Sequence, residues 1–401
     1  MDYNPFLPEV QANPYPYYTY LRQHAPVYYV PFGFWTLSRY EDVYYAFRNP
    51  QVFSSAVLTS AFLGDLNPFP SDVLMMLASD PPDHTRLRKL VNRAFTPRRI
   101  ASLELHIREV VHRLIEQLPA RGEFDLVREL SAPLPIITIA ELLGVPPERR
   151  DDFKRWTNSM IRATNGIAVP QEEHAGIRQQ ISELFTYFRA AIAAYRKQPG
   201  DNLLSDMVRA EEENQMLTAE EVLCMAILLI GAGSETTTNL IANAMLALSA
   251  HPEQMAMVRA NPTLIPNALE ETLRYDGPIQ TLFRQATQEV ELSGTRIPAG
   301  SVVLLLVGSA NHDERKFPEP ERFDIMRNTD GHIGFGFGIH FCLGAQLARL
   351  QAKTALEALL RRFPSLMRKE EPITHIESLS VHGPKALPLV VADSAEKRKQ
   401  I

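Results

Sequence analysis

Apolar residues recur three and four positions apart along most of this chain, in Leu103 to Leu118, Ile177 to Tyr195, Ala219 to Ala250, Asn267 to Tyr275 and Leu343 to Phe363. That spacing predicts amphipathic helices. Strand signals are few. Trp35 to Ser38 reads as extended, and Val290 to Leu292, Thr295 to Ile297 and Ser301 to Val307 predict a small sheet punctuated by Ser293-Gly294 and Pro298-Ala299-Gly300. The segment from Ala219 has the clearest start: Thr218 and Glu221 form a capping box, and Leu217 is placed to staple against Val222. The run Val222 to Ala232 is apolar on every face, yet it spans eleven residues and is bounded by Glu220, Glu221 and Glu235. A span needs about 20 apolar residues to cross a bilayer, so a buried central helix is predicted instead.

A chain of 401 residues could form two or three domains. No repeat, low-complexity tract or Gly/Ser linker divides it, and the Pro-rich pieces Asn4 to Pro16 and Phe317 to Pro320 are short and flanked by aromatics. One domain over residues 1–401 is predicted, mainly α with a small β region. An apolar fraction of 45% with 22% charged residues is ordinary for a globular protein. Met1 to Leu21 holds neither a basic lead nor an apolar run, so no secretory signal or membrane anchor is read there and a cytoplasmic location is expected. The two cysteines, Cys224 and Cys342, lie far apart, which disfavours a disulfide framework. A net charge of -6 argues against binding nucleic acid or an anionic membrane. Within it, Arg86, Arg88, Lys89, Arg93, Arg98 and Arg99 follow one another with no intervening acid. They form either a local basic patch or a solvated helix face.

Four constellations carry chemistry. The first is Phe335 to Gly344, FGFGIHFCLG, directly before an amphipathic helix. Gly336, Gly338 and Gly344 permit positive φ and close approach of backbone to a flat ligand. Cys342 sits where the helix begins, and free N–H groups and the helix dipole there favour a thiolate. Such a thiolate could bind a metal; as a nucleophile it has only His340 nearby and no oxyanion site, and a buried structural cysteine is the plain alternative. The second is Glu271-Thr272-Leu273-Arg274, whose acid and base share a helix face; an exposed pair of this kind contributes only about 0.2 to 0.5 kcal/mol. The third is Ala232-Gly233-Ser234-Glu235-Thr236-Thr237. Helical glycines cost about 1 kcal/mol each relative to alanine, so Gly231 and Gly233 imply either a ligand groove or a close helix contact. Thr236 can bond the carbonyl of Ala232 or release it. The fourth, Asp80-Pro81-Pro82-Asp83-His84-Thr85-Arg86-Leu87-Arg88, puts His84 and Arg88 on one helical face, suited to a dianionic group or to solvent.

Phe335, Gly338, His340, Cys342 and Gly344 match F-x-x-G-x-[HR]-x-C-x-G, the heme-binding loop of cytochromes P450, and the chain resembles that family from end to end. The resemblance implies the mainly helical P450 fold and heme b (iron protoporphyrin IX) held by the thiolate of Cys342, with Phe335, Gly336, Gly344 and Ala232 against the cofactor. It implies that His340, His84, Arg88 and Arg284 meet the heme propionates. It implies that Glu235 and Thr236 deliver protons during dioxygen activation, although the family more often has Asp at position 235. Glu271, Arg274 and Arg322 would form a buried network under the heme loop. Ala310-Asn311-His312-Asp313 departs from the usual A-N-R-D, which leaves the role of that turn open. By position relative to these motifs, Leu228, Ala232, Ile279 and Leu282 would line a substrate pocket, and the segments 53–77 and 156–173 would select the substrate. Phe53, Val57, Leu58, Phe62, Leu63, Leu66, Phe69, Leu74 and Met75 make the first of these apolar. The implied enzyme is a monomeric monooxygenase acting on a hydrophobic small molecule such as a polyketide or macrolide, terpenoid, steroid or fatty acid. Its electrons would come from a ferredoxin or flavodoxin with an NAD(P)H reductase, docked on the basic stretch. A peroxide-driven oxygenase and a non-catalytic heme sensor share Cys342 and stand as alternatives.

Overall fold

The computed structural model describes residues 3–58, 66, 74–164, 169–214 and 218–391. Its axis is the helix Ala219–Ala250, 32 residues long. The capping box forms: Glu221 N–H donates to Thr218 Oγ1 at 3.2 Å, and Thr218 N–H donates to the Glu221 carboxylate at 2.8 Å. The Leu217 staple lies outside the described residues. Helices packed on this axis include Pro133–Leu142, Arg150–Thr164, His174–Lys197, Leu203–Asn214, Ile265–Tyr275 and Ala345–Arg362. They explain why it is apolar all round: by composition it could cross a membrane, yet it is largely buried among these partners. The expected helices all form with ends shifted by up to three residues, as Glu104–Gln117, His174–Lys197, Ile265–Tyr275 and Ala345–Arg362.

The β structure differs from the single small sheet read in the sequence. Val290–Leu292 and Thr295–Ile297 pair only with each other, turning at Ser293 and Gly294, both with positive φ. Val302–Leu306 instead enters a five-stranded sheet in the order Val27–Val30, Phe34–Leu37, Val302–Leu306, Thr281–Ala286, Phe53–Ser54. It is central, so both of its edges are paired, and side chains pack on both of its faces. Val303 and Leu305 join Leu37, Phe53 and Phe47 on one side, while Leu304 and Leu306 join Val30, Phe34 and Phe283 on the other. A second sheet runs Gly122–Asp125, Pro388–Val391, Leu366–Arg368.

Candidate active site

Between His332 and Gly344 the chain forms a knuckle closed by Cys342 N–H donating to the Phe335 carbonyl at 3.0 Å, with Gly336 N–H donating to Ile333 O at 2.8 Å. Gly336 and Gly338 take φ of 70° and 73°, the left-handed region that glycine tolerates. Gly344 does not: it caps the next helix at φ -84°, ψ 5°, so its value is space rather than torsion. A Cβ at Gly344 would meet nothing within 4 Å. The helix starts at Ala345, which leaves Cys342 ahead of it and half-buried. The expected thiolate is not favoured in the bare protein. Burial raises the Cys342 pKa and outweighs the Gly344 N–H, Arg88 and Arg349, all of which lower it. A metal at the sulfur would displace the proton outright. Among the described residues no three His, Cys, Asp or Glu side chains cluster to hold a metal ion.

Beside the knuckle four basic side chains converge. His84 and Arg88 lie one turn apart on the helix Asp83–Ala94, His340 is on the knuckle, and Arg284 is on the sheet. The His84 and His340 rings are 4.2 Å apart between centroids. Arg284 is buried; its guanidinium lies 5.6 Å from the centre of the Phe47 ring and donates to the Phe283 carbonyl at 2.7 Å. His84 Nε2 is buried and finds no hydrogen-bond partner among the described residues. Burial first, and then the other cations, push His340 down to about 3, while burial lowers Arg284 to about 10 and, with Arg88, lowers His84. The Asp80 carboxylate acts against this on His84 and Arg284. Buried positive charge of this density and an unpartnered imidazole nitrogen call for an anion with several acceptor oxygens.

The knuckle rests on a buried ion network. Arg274 Nε and Nη2 both donate to Glu271 at 2.8 Å, and both side chains are fully buried. Arg274 also donates to the carbonyls of Asn311, Pro320 and Arg322. The third member is Arg327, whose Nε lies 3.2 Å from Glu271, and not Arg322 as expected. Arg322 contributes only its carbonyl; its side chain is exposed beside Glu319 and Asp324 because the turn after Pro320 points it outward. Asn311 links this network to the knuckle, its side chain accepting from Ile333 N–H at 2.8 Å. Glu270, next door, accepts from Arg349 and His332; despite burial, which raises its pKa, these bonds bring it to about 2. Arg349 in turn stands over the Phe335 ring at 4.5 Å. His312, whose role the sequence left open, is buried between Glu321 and the Tyr275 carbonyl and packs on Tyr15, so it braces the fold rather than the site.

The central helix opens in its middle. Ala232 is exposed although the helix is enclosed, and a Cβ at Gly231 or Gly233 would meet nothing within 4 Å. Close helix packing therefore does not account for these glycines; they border open space. Thr236 Oγ1 donates to the Ala232 carbonyl at 2.7 Å, and burial pushes the Glu235 carboxyl up to about 7. Leu228, Ile279 and Leu282 are half-buried, as a lining requires. The apolar segment 53–77 divides. Phe53, Leu58, Leu66 and Met75 are core, Leu74 is exposed, and Phe62, Leu63 and Phe69 lie outside the described residues, as does 165–168 of the second selecting segment. The basic stretch is also partly consumed: Arg86 pairs with buried Glu221 at 2.6 Å and Arg99 with Asp206 at 3.0 Å, while Lys89 and Arg98 face solvent. The Arg93 side chain lies outside the described residues.

A flat macrocycle carrying a metal at its centre and two carboxylates on one edge fits these three features together: a lone sulfur, glycine-cleared faces and a cationic rim. The comparisons agree. Residues 171–389 match the family described as Cytochrome P450. The chain is 42% identical over 393 residues to the cytochrome P450 monooxygenase PikC of Streptomyces venezuelae, covering 94% of this chain and 91% of that protein. It is 40% identical over 388 residues to the vitamin D(3) 25-hydroxylase of Pseudonocardia autotrophica, covering 94% of each. Among solved structures, cytochrome P450 CYP109Q5 from Chondromyces apiculatus superimposes with a TM-score of 0.87 at 41% identity, over 98% of this chain and 99% of that one. The chain belongs to the cytochrome P450 family. It is a P450 monooxygenase that uses heme, a small-molecule substrate and electrons from redox partners.

Proposed function

We propose that residues 1–401 form one domain that binds heme b, works as a cytoplasmic monomer and inserts one oxygen atom from dioxygen into a C–H or C=C bond of a hydrophobic small molecule, with a ferredoxin or flavodoxin and its NAD(P)H reductase supplying electrons. The observation that carries the reading is the opening in the central helix, where Ala232, Gly231 and Gly233 border space beside a hydroxyl and an acid in one turn. Heme, when bound, supplies dioxygen activation. The Cys342 sulfur would hold the iron, and His84, Arg88, Arg284 and His340 would neutralise the cofactor's carboxylates. Thr236 Oγ1, now donating to the Ala232 carbonyl, can turn toward the open space without leaving a buried donor unmet. Glu235, whose pKa burial lifts to about 7, holds an exchangeable proton one residue away. Leu228, Ala232, Ile279 and Leu282 would give the substrate an apolar wall. The hydroxylase relative supports a steroid-like substrate, with polyketides or macrolides, terpenoids and fatty acids as the other classes of that polarity and size.

The test uses the first compound of a steroid, fatty-acid and macrolide panel that shifts the Soret band. Thr236→Ala and Glu235→Gln should lower product formed per NADH by about tenfold or more, since a positioned proton donor contributes roughly 10²-fold. In the wild type this ratio should fall as pH rises through about 7, where the Glu235 carboxyl loses its proton, and Glu235→Gln should flatten the profile. Unchanged product per NADH in both variants, or turnover as fast with hydrogen peroxide alone, contradicts the dioxygen route.

A further inference from the structure

The cationic rim contains a part that no motif announces. Ser55 is fully buried, and its Oγ lies 2.9 Å from His340 Nε2. One residue, Asp80, holds it there. The Asp80 carboxylate accepts from the Ser55 N–H at 2.9 Å and from the Ser54 hydroxyl, while the Asp80 carbonyl accepts from His84 N–H at 2.9 Å in the first turn of the helix that carries His84 and Arg88. Ser54 is itself in the sheet, paired opposite Gln285, the neighbour of Arg284. Asp80 thus ties the origins of three rim residues to the serine that touches the fourth.

An imidazole has two ring nitrogens, and which one faces a ligand depends on what the other bonds. With Nε2 engaged by Ser55, the nitrogen left for an external acceptor is Nδ1. A hydroxyl is suited to this, because it rotates to donate to bare Nε2 or to accept from Nε2–H. We propose that Ser55 is a positioning residue for the cofactor: by holding His340 Nε2 it fixes the ring so that Nδ1–H donates to a heme carboxylate. The proposal rests on the heme reading given above. Ser55 does not touch the cofactor in this account; it acts only through His340.

A double-mutant cycle on the holoenzyme tests it, read as the rate of heme transfer to excess apomyoglobin. Ser55→Ala should speed heme loss up to about tenfold, the size expected for one buried hydrogen bond. In a His340→Ala background the same change should alter the rate less than about twofold, and Ser55→Thr, which keeps the hydroxyl, should stay within about twofold of wild type. Equal acceleration in both backgrounds would mean that Ser55 acts by packing alone, and no acceleration in the wild-type background overturns the proposal. Should Ser55→Ala fail to fold, Ser55→Cys takes its place in the cycle. A wild-type protein that binds no heme would refute the heme reading itself, a result distinct from either of these.

Discussion

Arg274→Ala should yield a protein that folds poorly and retains little heme, whereas Arg322→Ala should be close to wild type. Arg274 and Glu271 are fully buried and satisfy each other through two bonds of 2.8 Å. Removing the arginine leaves the buried Glu271 carboxylate with Arg327 as its one cationic partner and takes the side-chain donor from the carbonyls of Asn311 and Pro320, while the Arg322 carbonyl keeps Arg327. Breaking a buried pair in this way costs about 3 to 5 kcal/mol, a large part of the roughly 5 to 15 kcal/mol that keeps a domain folded. Arg322 is exposed, and its ion pairs with Glu319 and Asp324 should contribute less than about 1 kcal/mol. Arg327→Ala should fall between, since Arg327 shares the Glu271 carboxylate but does not carry the pair alone. Thermal unfolding and heme per protein, measured on all three, check the order. A loss at Arg322 equal to that at Arg274 would restore it as the third member of the network and contradict the geometry described here.

Gly338→Ala should lower heme incorporation several-fold more than Gly336→Ala does. Both glycines have positive φ, 73° and 70°, so each alanine is strained by about 1 to 2 kcal/mol. They differ in what surrounds them. A Cβ at Gly338 would lie 2.6 Å from the Phe47 carbonyl oxygen, a backbone atom that cannot step aside, whereas at Gly336 the nearest atom is 3.9 Å away. Phe47 also carries the ring beside Arg284, so displacing it disturbs the cationic rim. Heme content at matched expression should separate the two variants by several-fold. Equal content in both would show that torsion alone governs this turn.

Parts of the molecule whose cause is local were legible. Thr218 and Glu221 announce the start of the central helix because a capping box closes within one turn, and it forms as read. The Cys342 knuckle was legible for the same reason, its spacing being a property of a short loop. Features set by distant chain were not. Arg322 and Arg327 lie in an irregular stretch whose path is decided by carbonyls that Arg274 and Arg327 bind, so the family resemblance pointed to the wrong arginine. The basic run left a single patch and a solvated helix face both open, and Glu221 and Asp206 reach in from other helices and pair with two of its members. Ser55 meets His340 across 285 residues, and a serine in the bend after a strand carries no sign of such a partner. Gly344 was expected to permit positive φ and close approach to a flat ligand; it takes no positive φ and leaves its face clear, a role that glycine fills without torsional strain.

The most direct test of thiolate ligation by Cys342 is the visible spectrum of the dithionite-reduced protein under carbon monoxide, recorded beside Cys342→Ser. A Soret band near 450 nm, the spectral mark of a thiolate-ligated heme, is expected in the wild type and should be lost in the variant. A band near 420 nm in intact wild-type protein, or a band at 450 nm that survives in Cys342→Ser, would contradict thiolate ligation by Cys342.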